Sequence, residues 1–314
     1  QPVFQAGLPK PLHICRNNCF NHSYTGMVIY PQRKGGAPMK KRLTNIIPTV
    51  ITAISALLFL APIVLILCNS LMSTGEVNDI YSITEGYSPL RLIPKITTIQ
   101  QYYRIMIENP EYLVVFWNSM KIVVPIVTGQ VIFASVAAYA LSCFRFKGRN
   151  IIFFVYIAVM LMPSQATIVP NFIMVRRLGI IDTFYSVIFP GIFGAFGVVL
   201  LRQFMIGVPR DYIEAARIEG AGFIRILFKI VIPLVKGGFV SVIILCFVDS
   251  WGMVETPLVF LSDIKMQPIS VYLSGATVTG ELFAASALAM AVPLLLFLIG
   301  RDELIQGIEL SGLK

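Results

Sequence analysis

Six long apolar runs, at about residues 46–68, 114–141, 151–175, 184–206, 233–248 and 282–300, constrain this chain more than any other feature. A hydrocarbon core of ~30 Å is crossed by about 20 consecutive apolar residues in a helix, the one local structure that pairs all its backbone groups internally. Soluble folding would have to bury every run in a chain of 314 residues that is 56% hydrophobic and 13% charged, a balance far from that of soluble domains. The expected fold is therefore all-α: a polytopic membrane protein with six transmembrane helices.

Lys and Arg positions orient those helices. The N-terminal tail carries Lys10, Arg16, Arg33, Lys34, Lys40, Lys41 and Arg42 with no acid, and the loop after the second run carries Arg145, Lys147 and Arg149, again unopposed. Both read as cytoplasmic. The 69–111 loop carries Glu76, Asp79, Glu85, Glu108 and Glu111 against three basic residues and reads as external. Alternation then puts both termini inside; Arg176 and Arg177 fall outside and run against the trend. The formal charge of +9 is on this reading a topology signal, with no nucleic-acid partner implied. The orientation implies a membrane that bounds the cytoplasm.

Residues 1–38 behave differently from the rest. They lack periodicity, and Met39-Lys40-Lys41-Arg42 opens a typical membrane-protein start, so 1–38 reads as a leader, a vector-derived or a disordered segment and 39–314 as the membrane domain. His13, Cys15, Cys19 and His22 match no common zinc-finger spacing, and no metal site is expected.

Between the fourth and fifth runs, at about residues 207–235, lies a charged amphipathic insert. Asp211 is placed to cap a helix, with Glu214 three residues on, where a capping box would have it. Ala215 and Ala216 favour helix, and Gly220 and Gly222 are expected to end it in left-handed turns. A second short helix follows with Phe223, Ile226, Leu227 and Ile230 on one face, and Pro233 is expected to end it and open the fifth span.

Polar groups inside spans are costly and face a bundle interior or a wet cavity. Asn118 and Gln130 in the second run, Gln165 and Asn171 in the third, and Asp249, Trp251 and Glu255 near the end of the fifth are the candidate solute path. Pro163, Pro170 and Pro190 are expected to break or kink their helices. No Gly-Lys dipeptide occurs, so there is no phosphate loop, and the two histidines both lie in the leader. Catalytic chemistry and ATP hydrolysis by this chain are not expected.

The spacing Glu214-Ala215-Ala216, three residues, Gly220, nine residues, Ile230, one residue, Ile232-Pro233 resembles the EAA loop of the permeases of bacterial ATP-binding cassette importers, with Ile232 where Leu is usual. Phe116-Trp117-Asn118-Ser119, Met162-Pro163-Ser164-Gln165, Leu200-Leu201-Arg202-Gln203-Phe204, and Trp251 with Pro257-Leu258 are similar to the smaller six-helix subunit of carbohydrate importers of the maltose and glycerol-3-phosphate type. Gly252 and Met253 depart from the Asn and Glu common there. The resemblance implies a pore shared with a second permease, two ATPase subunits that hold ATP and Mg, an extracytoplasmic solute-binding protein, and a sugar substrate. It also implies that Asp211, Glu214, Ala215, Ala216, Gly220, Gly222 and Pro233 form a cytoplasmic ATPase-coupling element. A polyamine, phosphonate or peptide importer is the alternative, and a secondary transporter or a membrane scaffold the more distant ones.

Overall fold

The computed structural model describes residues 39–81 and 93–312. The 1–38 segment with its His and Cys residues, and Glu85, lie outside the described residues. Among the described residues every regular element is helical, and the only extended pairing is an isolated antiparallel bridge between Met72 and Thr97. The chain divides into two compact units, residues 1–55 and 56–314. Residues 39–55 of the first form the beginning of helix α1 (Met39–Ser70), where the Thr52 and Ser55 hydroxyls donate to the carbonyls of Pro48 and Ile51. Hydroxyls on an apolar helix are satisfied in this way without water.

The second unit starts with the rest of α1, whose Ser70 hydroxyl pairs with Tyr102 at 2.7 Å. Short helices α2 (Thr74–Tyr81) and α3 (Gln100–Tyr103), the latter continued by a π-helical turn to Glu108, precede α4 (Glu111–Cys143). There follow α5 (Arg149–Met160), α6 (Ser164–Arg177), α7 (Phe184–Ile192), α8 (Ala195–Ile206), α9 (Arg210–Ile218), α10 (Phe223–Ile226) and α11 (Ile232–Leu234). The chain closes with α12 (Lys236–Trp251), α13 (Glu255–Phe260), α14 (Ile269–Gly275) and α15 (Gly280–Gly312).

At 33 residues α4 is about 50 Å long. It is the axis of this unit, packed by α7, α8 and α12, while α12 packs α15. Small residues let the backbones close: a Cβ added at Gly129 would come within 2.7 Å of Ile192, and one at Gly191 within 3.0 Å of Ile126. Each glycine thus receives the isoleucine of the other helix.

Among the described residues four helices are individually long and apolar enough to cross a membrane, namely Pro48–Ser70, Glu111–Cys143, Phe184–Ile206 taken through a short break, and Gly280–Ile305. The third run is broken, as Pro163 leads one to expect, and the fifth span starts at Lys236 after a bend rather than at Pro233. α5 and α6 are bent by 102° at residues 161–163, and the Phe223–Leu234 helix meets α12 at 85°. Pro163 explains the first break, since it lacks an N–H and disfavours helical geometry at Met162. Pro170 and Pro190, in contrast, lie inside α6 and α7. With each bent pair counted as one span, the total reaches six.

Candidate functional site

The insert after α8 folds as a helix–turn–helix. α9 begins at Arg210 behind Pro209, an extended residue at φ −60° and ψ 133°, and no side chain caps it. The expected capping box is therefore absent: the helix starts one residue before Asp211, and Glu214 stands too far along to reach the cap. Asp211 remains in the first turn, where a carboxylate suits the positive end of the helix dipole.

The other end of α9 is closed with full backbone pairing. Gly220 takes φ +80°, its N–H donates to Arg217 at 3.0 Å, and the Ala221 N–H donates to Ala216 at 2.9 Å. This is the Schellman arrangement, which wants glycine at the left-handed position. Gly222 does not share that role, contrary to expectation: at φ −73° and ψ 167° it is ordinary extended backbone that starts α10. From α10 the chain passes through a π-helical turn, Leu227–Val231, into α11, and the sharp bend comes at Val235. Pro233 thus sits two residues before the elbow rather than at the start of the span. The wider π register precedes it, as it does where a helical ladder loses a donor.

Two faces result. Ile213, Ala216, Ile226, Leu227, Val231 and Val235 are buried in the core that also holds α4 and α12. Phe223 packs on Tyr139 and Phe144 with ring centroids 4.8 and 5.6 Å apart, and the Arg217 guanidinium lies 5.3 Å above the Phe144 ring. Asp211, Glu214, Ala215 and Ile218 are exposed at positions i, i+3, i+4 and i+7 of one helix face, with Ile218 at 88%. Tyr212, Ile224 and Phe228 add exposed apolar surface. The aromatic anchor of Tyr139, Phe144 and Phe223 escaped sequence reasoning, which had no signal that the end of the second run and the start of α10 meet.

The candidate path residues divide. Asn118 is buried and donates to the carbonyls of Lys265 and Gln267 at 2.7 and 3.2 Å, while the neighbouring Ser119 hydroxyl accepts from the Ile269 N–H at 2.7 Å. These two residues clamp the segment after α13. Gln130 is buried and reaches the Gly194 carbonyl at 3.5 Å in the gap between α7 and α8. Trp251 is buried too, donating to the Ala289 carbonyl at 3.2 Å and packed by Phe247 and Phe116. Asn171 is half-buried, and Asp249 is exposed near the end of α12.

Two members of the set do meet. Gln165, just past the break in the third span, donates to Glu255 at the start of α13 at 2.9 Å, and both are exposed. Nearby backbone is tied down by Ser270, whose hydroxyl donates to the Met253 carbonyl at 2.6 Å. In the loop after α6, Asp182 accepts the Ser262 N–H at 2.6 Å and donates its own N–H to the Phe260 carbonyl. That hydrogen bond holds its carboxyl below the usual value of 3.8. Among the described residues no cluster of three or more His, Cys, Asp or Glu could hold a metal ion.

Residues 130–308 match the family described as binding-protein-dependent transport system inner membrane component. The chain is 30% identical over 264 residues to the arabinooligosaccharides transport system permease protein AraQ of Bacillus subtilis (strain 168), covering 82% of this chain and 92% of that one. It is 27% identical over 223 residues to the sn-glycerol-3-phosphate transport system permease protein UgpE of Brucella abortus (strain 2308), covering 67% and 79%. The fold is shared with the crystal structure of a bacterial ABC transporter involved in the import of the acidic polysaccharide alginate, at a TM-score of 0.70 and 24% identity over 86% of this chain and 99% of that chain. This multi-pass membrane protein belongs to the family of binding-protein-dependent transport system inner membrane components.

Proposed function

We propose that this chain forms half of the translocation pore of an ATP-binding cassette sugar importer and receives its driving motion through the 210–234 helices. The carrying observation is the two-faced coupling element: one side is locked to α4 and α12, and the other presents Asp211, Glu214, Ala215 and Ile218 to a partner. A helix held this way moves with the spans it is packed on, so force applied to its outer face reaches them. ATP and Mg belong on two ATPase subunits, and a second permease completes the pore. An extracytoplasmic binding protein delivers the solute. On this reading the chain makes six spans, with the first bent pair counted once and α12 alone as the fifth, and both termini and the coupling helices are cytoplasmic; the unopposed Arg145, Lys147 and Arg149 support that orientation.

The Gln165–Glu255 pair supplies the exposed hydrogen-bonding groups of the path, and a neutral oligosaccharide suits an amide and a carboxylate that both bond hydroxyls. The arabinooligosaccharide permease relative supports that cargo; the glycerol-3-phosphate relatives support a phosphorylated polyol instead. Cross-linking tests the coupling: Ile218→Cys should form a disulfide with a cysteine in the groove of the co-expressed ATPase, and should do so differently with and without ATP. No cross-link at any groove position would sink the assignment. Uptake of labelled arabino-oligosaccharide against glycerol phosphate separates the two cargoes, and uptake indifferent to ATP depletion would remove the importer reading altogether.

A further inference from the structure

An open cleft of about 500 Å³ lies where the ends of α4 and α8 meet the starts of α5 and α9. Arg145, Arg149, Arg202, Arg210 and Arg217 line it, with Glu214 as its single carboxylate. None of the five arginines forms an ion pair among the described residues. Two of them close the C-terminal end of α4: Arg149 donates to the Phe144 carbonyl at 3.2 Å and Arg202 to that of Leu141 at 3.2 Å. Capping uses one donor of each and leaves their charge uncompensated.

Arg202 makes the point independently. It stands inside an apolar span, only 9% exposed, with its guanidinium 3.6 Å above the Phe153 ring. A buried cation near a span end calls for an anion, and among the described residues no carboxylate forms an ion pair with it. The surroundings indicate where the anion comes from. The cleft opens at the ends of membrane helices, beside α5, none of whose residues is buried. Phe146, Ile151 and Phe154 there are 44, 71 and 69% exposed. Phe146 and Ile151 share a second hollow with Arg145 and Arg149, so an acyl chain would have apolar surface beside these arginines.

We propose that this arginine cleft binds the phosphate group of an anionic phospholipid, so that a lipid headgroup sits against the base of helix α9. The guanidinium forks match phosphate oxygens in geometry as well as charge. A basic pocket between span ends is where such headgroups collect. The proposal needs only a membrane interface at this level and does not depend on the coupling reading.

The test titrates phosphatidylglycerol into phosphatidylcholine micelles holding the purified permease complex and counts retained lipid by native mass spectrometry. Arg145→Gln with Arg210→Gln leaves the two capping arginines in place, and each lost cation should weaken half-saturation about five-fold, roughly 25-fold together. A second arm adds inorganic phosphate: persistence of the bound lipid at millimolar phosphate supports the lipid as source, and full displacement overturns it in favour of a free phosphate ion. Equal phosphatidylglycerol retention by wild type and double variant also overturns the proposal. So does loss of the ATPase subunits from the variant with lipid retention unchanged, which would make the cleft a protein contact.

Discussion

The two bent helix pairs answer the same geometric demand in opposite ways. At the elbow before α12, Ile226, Leu227, Val231 and Val235 are all buried, and the helical stretch leading into it is anchored at its start by Phe223 on Tyr139 and Phe144. At the 161–163 bend, α5 has no buried residue and α6 has Val175 alone. Both bends need interrupted hydrogen bonding, yet one is filled by its own chain and the other is left for something else to cover. The filled elbow suits the motion-transmitting role proposed for it, and the unfilled bend leaves surface for lipid, a second subunit or solute to cover.

Truncation inside each bend should separate them most widely. Leu227→Ala removes a side chain that is 1% exposed and is expected to cost about 2–4 kcal/mol. Leu161→Ala, at 73% exposure, should stay within about 0.5 kcal/mol. Thermal unfolding of the purified complex reads the difference, and comparable losses at both sites would break the comparison. Membrane proteins gain less than soluble ones from apolar transfer, so the cavity left by Leu227 carries most of its cost.

Next in size is the turn that caps α9. Gly220→Val forces a β-branched residue to φ +80°, a penalty of about 1–2 kcal/mol confined to the turn. Solute-stimulated ATPase activity should fall while the amount of inserted protein is unchanged. Gly222→Ala, at an ordinary backbone conformation with nothing within 4 Å of the added Cβ, should leave both as they were. The pair of variants tests whether the loop works through its Schellman turn or through glycine flexibility in general.

Much of this arrangement is legible in residues and some of it is not. Apolar run length gave the spans, and the Glu-Ala-Ala-to-Gly220 spacing gave a short helix with a glycine stop, because both are local facts of helix chemistry. The capping box failed because Pro209 already supplies the extended residue a helix start requires, which displaces Asp211 into the first turn. The break in the third span was legible from Pro163 but its 102° angle was not, since a proline in an apolar run reports that a helix is interrupted and not by how much. Asn118, Gln130 and Trp251 read as path residues, and the structure adds that their donors turn to backbone carbonyls of segments 38 to 149 residues away, a pairing that composition cannot foresee. Gln165 and Glu255 meet across 90 residues, and sequence placed both on the path without pairing them.

That pair gives a smaller effect. Glu255→Gln keeps the shape and removes the charge, and for two exposed side chains the change in stability should stay below about 1 kcal/mol. Uptake should nonetheless fall several-fold if the pair binds solute, with the apparent KM rising more than the maximal rate drops. A loss of stability as large as that of Leu227→Ala would make Gln165–Glu255 a structural strut, and the open bend would no longer be open.

The smallest effect concerns what holds the open bend at its outer end. Asp182 follows α6, takes a left-handed φ of 57° that Asp tolerates better than most residues, and ties that loop to the exit of α13 through the Ser262 N–H. The ionised carboxylate is the better acceptor, which is why its folded value lies below 3.8. Its contribution is then complete above the ordinary carboxylate value and is lost as pH falls through the lowered one. A nitroxide on Ile264→Cys, at an exposed position two residues past Ser262, should stay restrained from neutral pH down to about 4 and loosen below it. Asp182→Asn keeps the left-handed backbone and a weaker acceptor, so its nitroxide should be equally mobile across that range. A matching acid transition in the Asn variant would move the cause to another carboxyl group, and the buried elbow at Val235, which carries no such clamp, should show none.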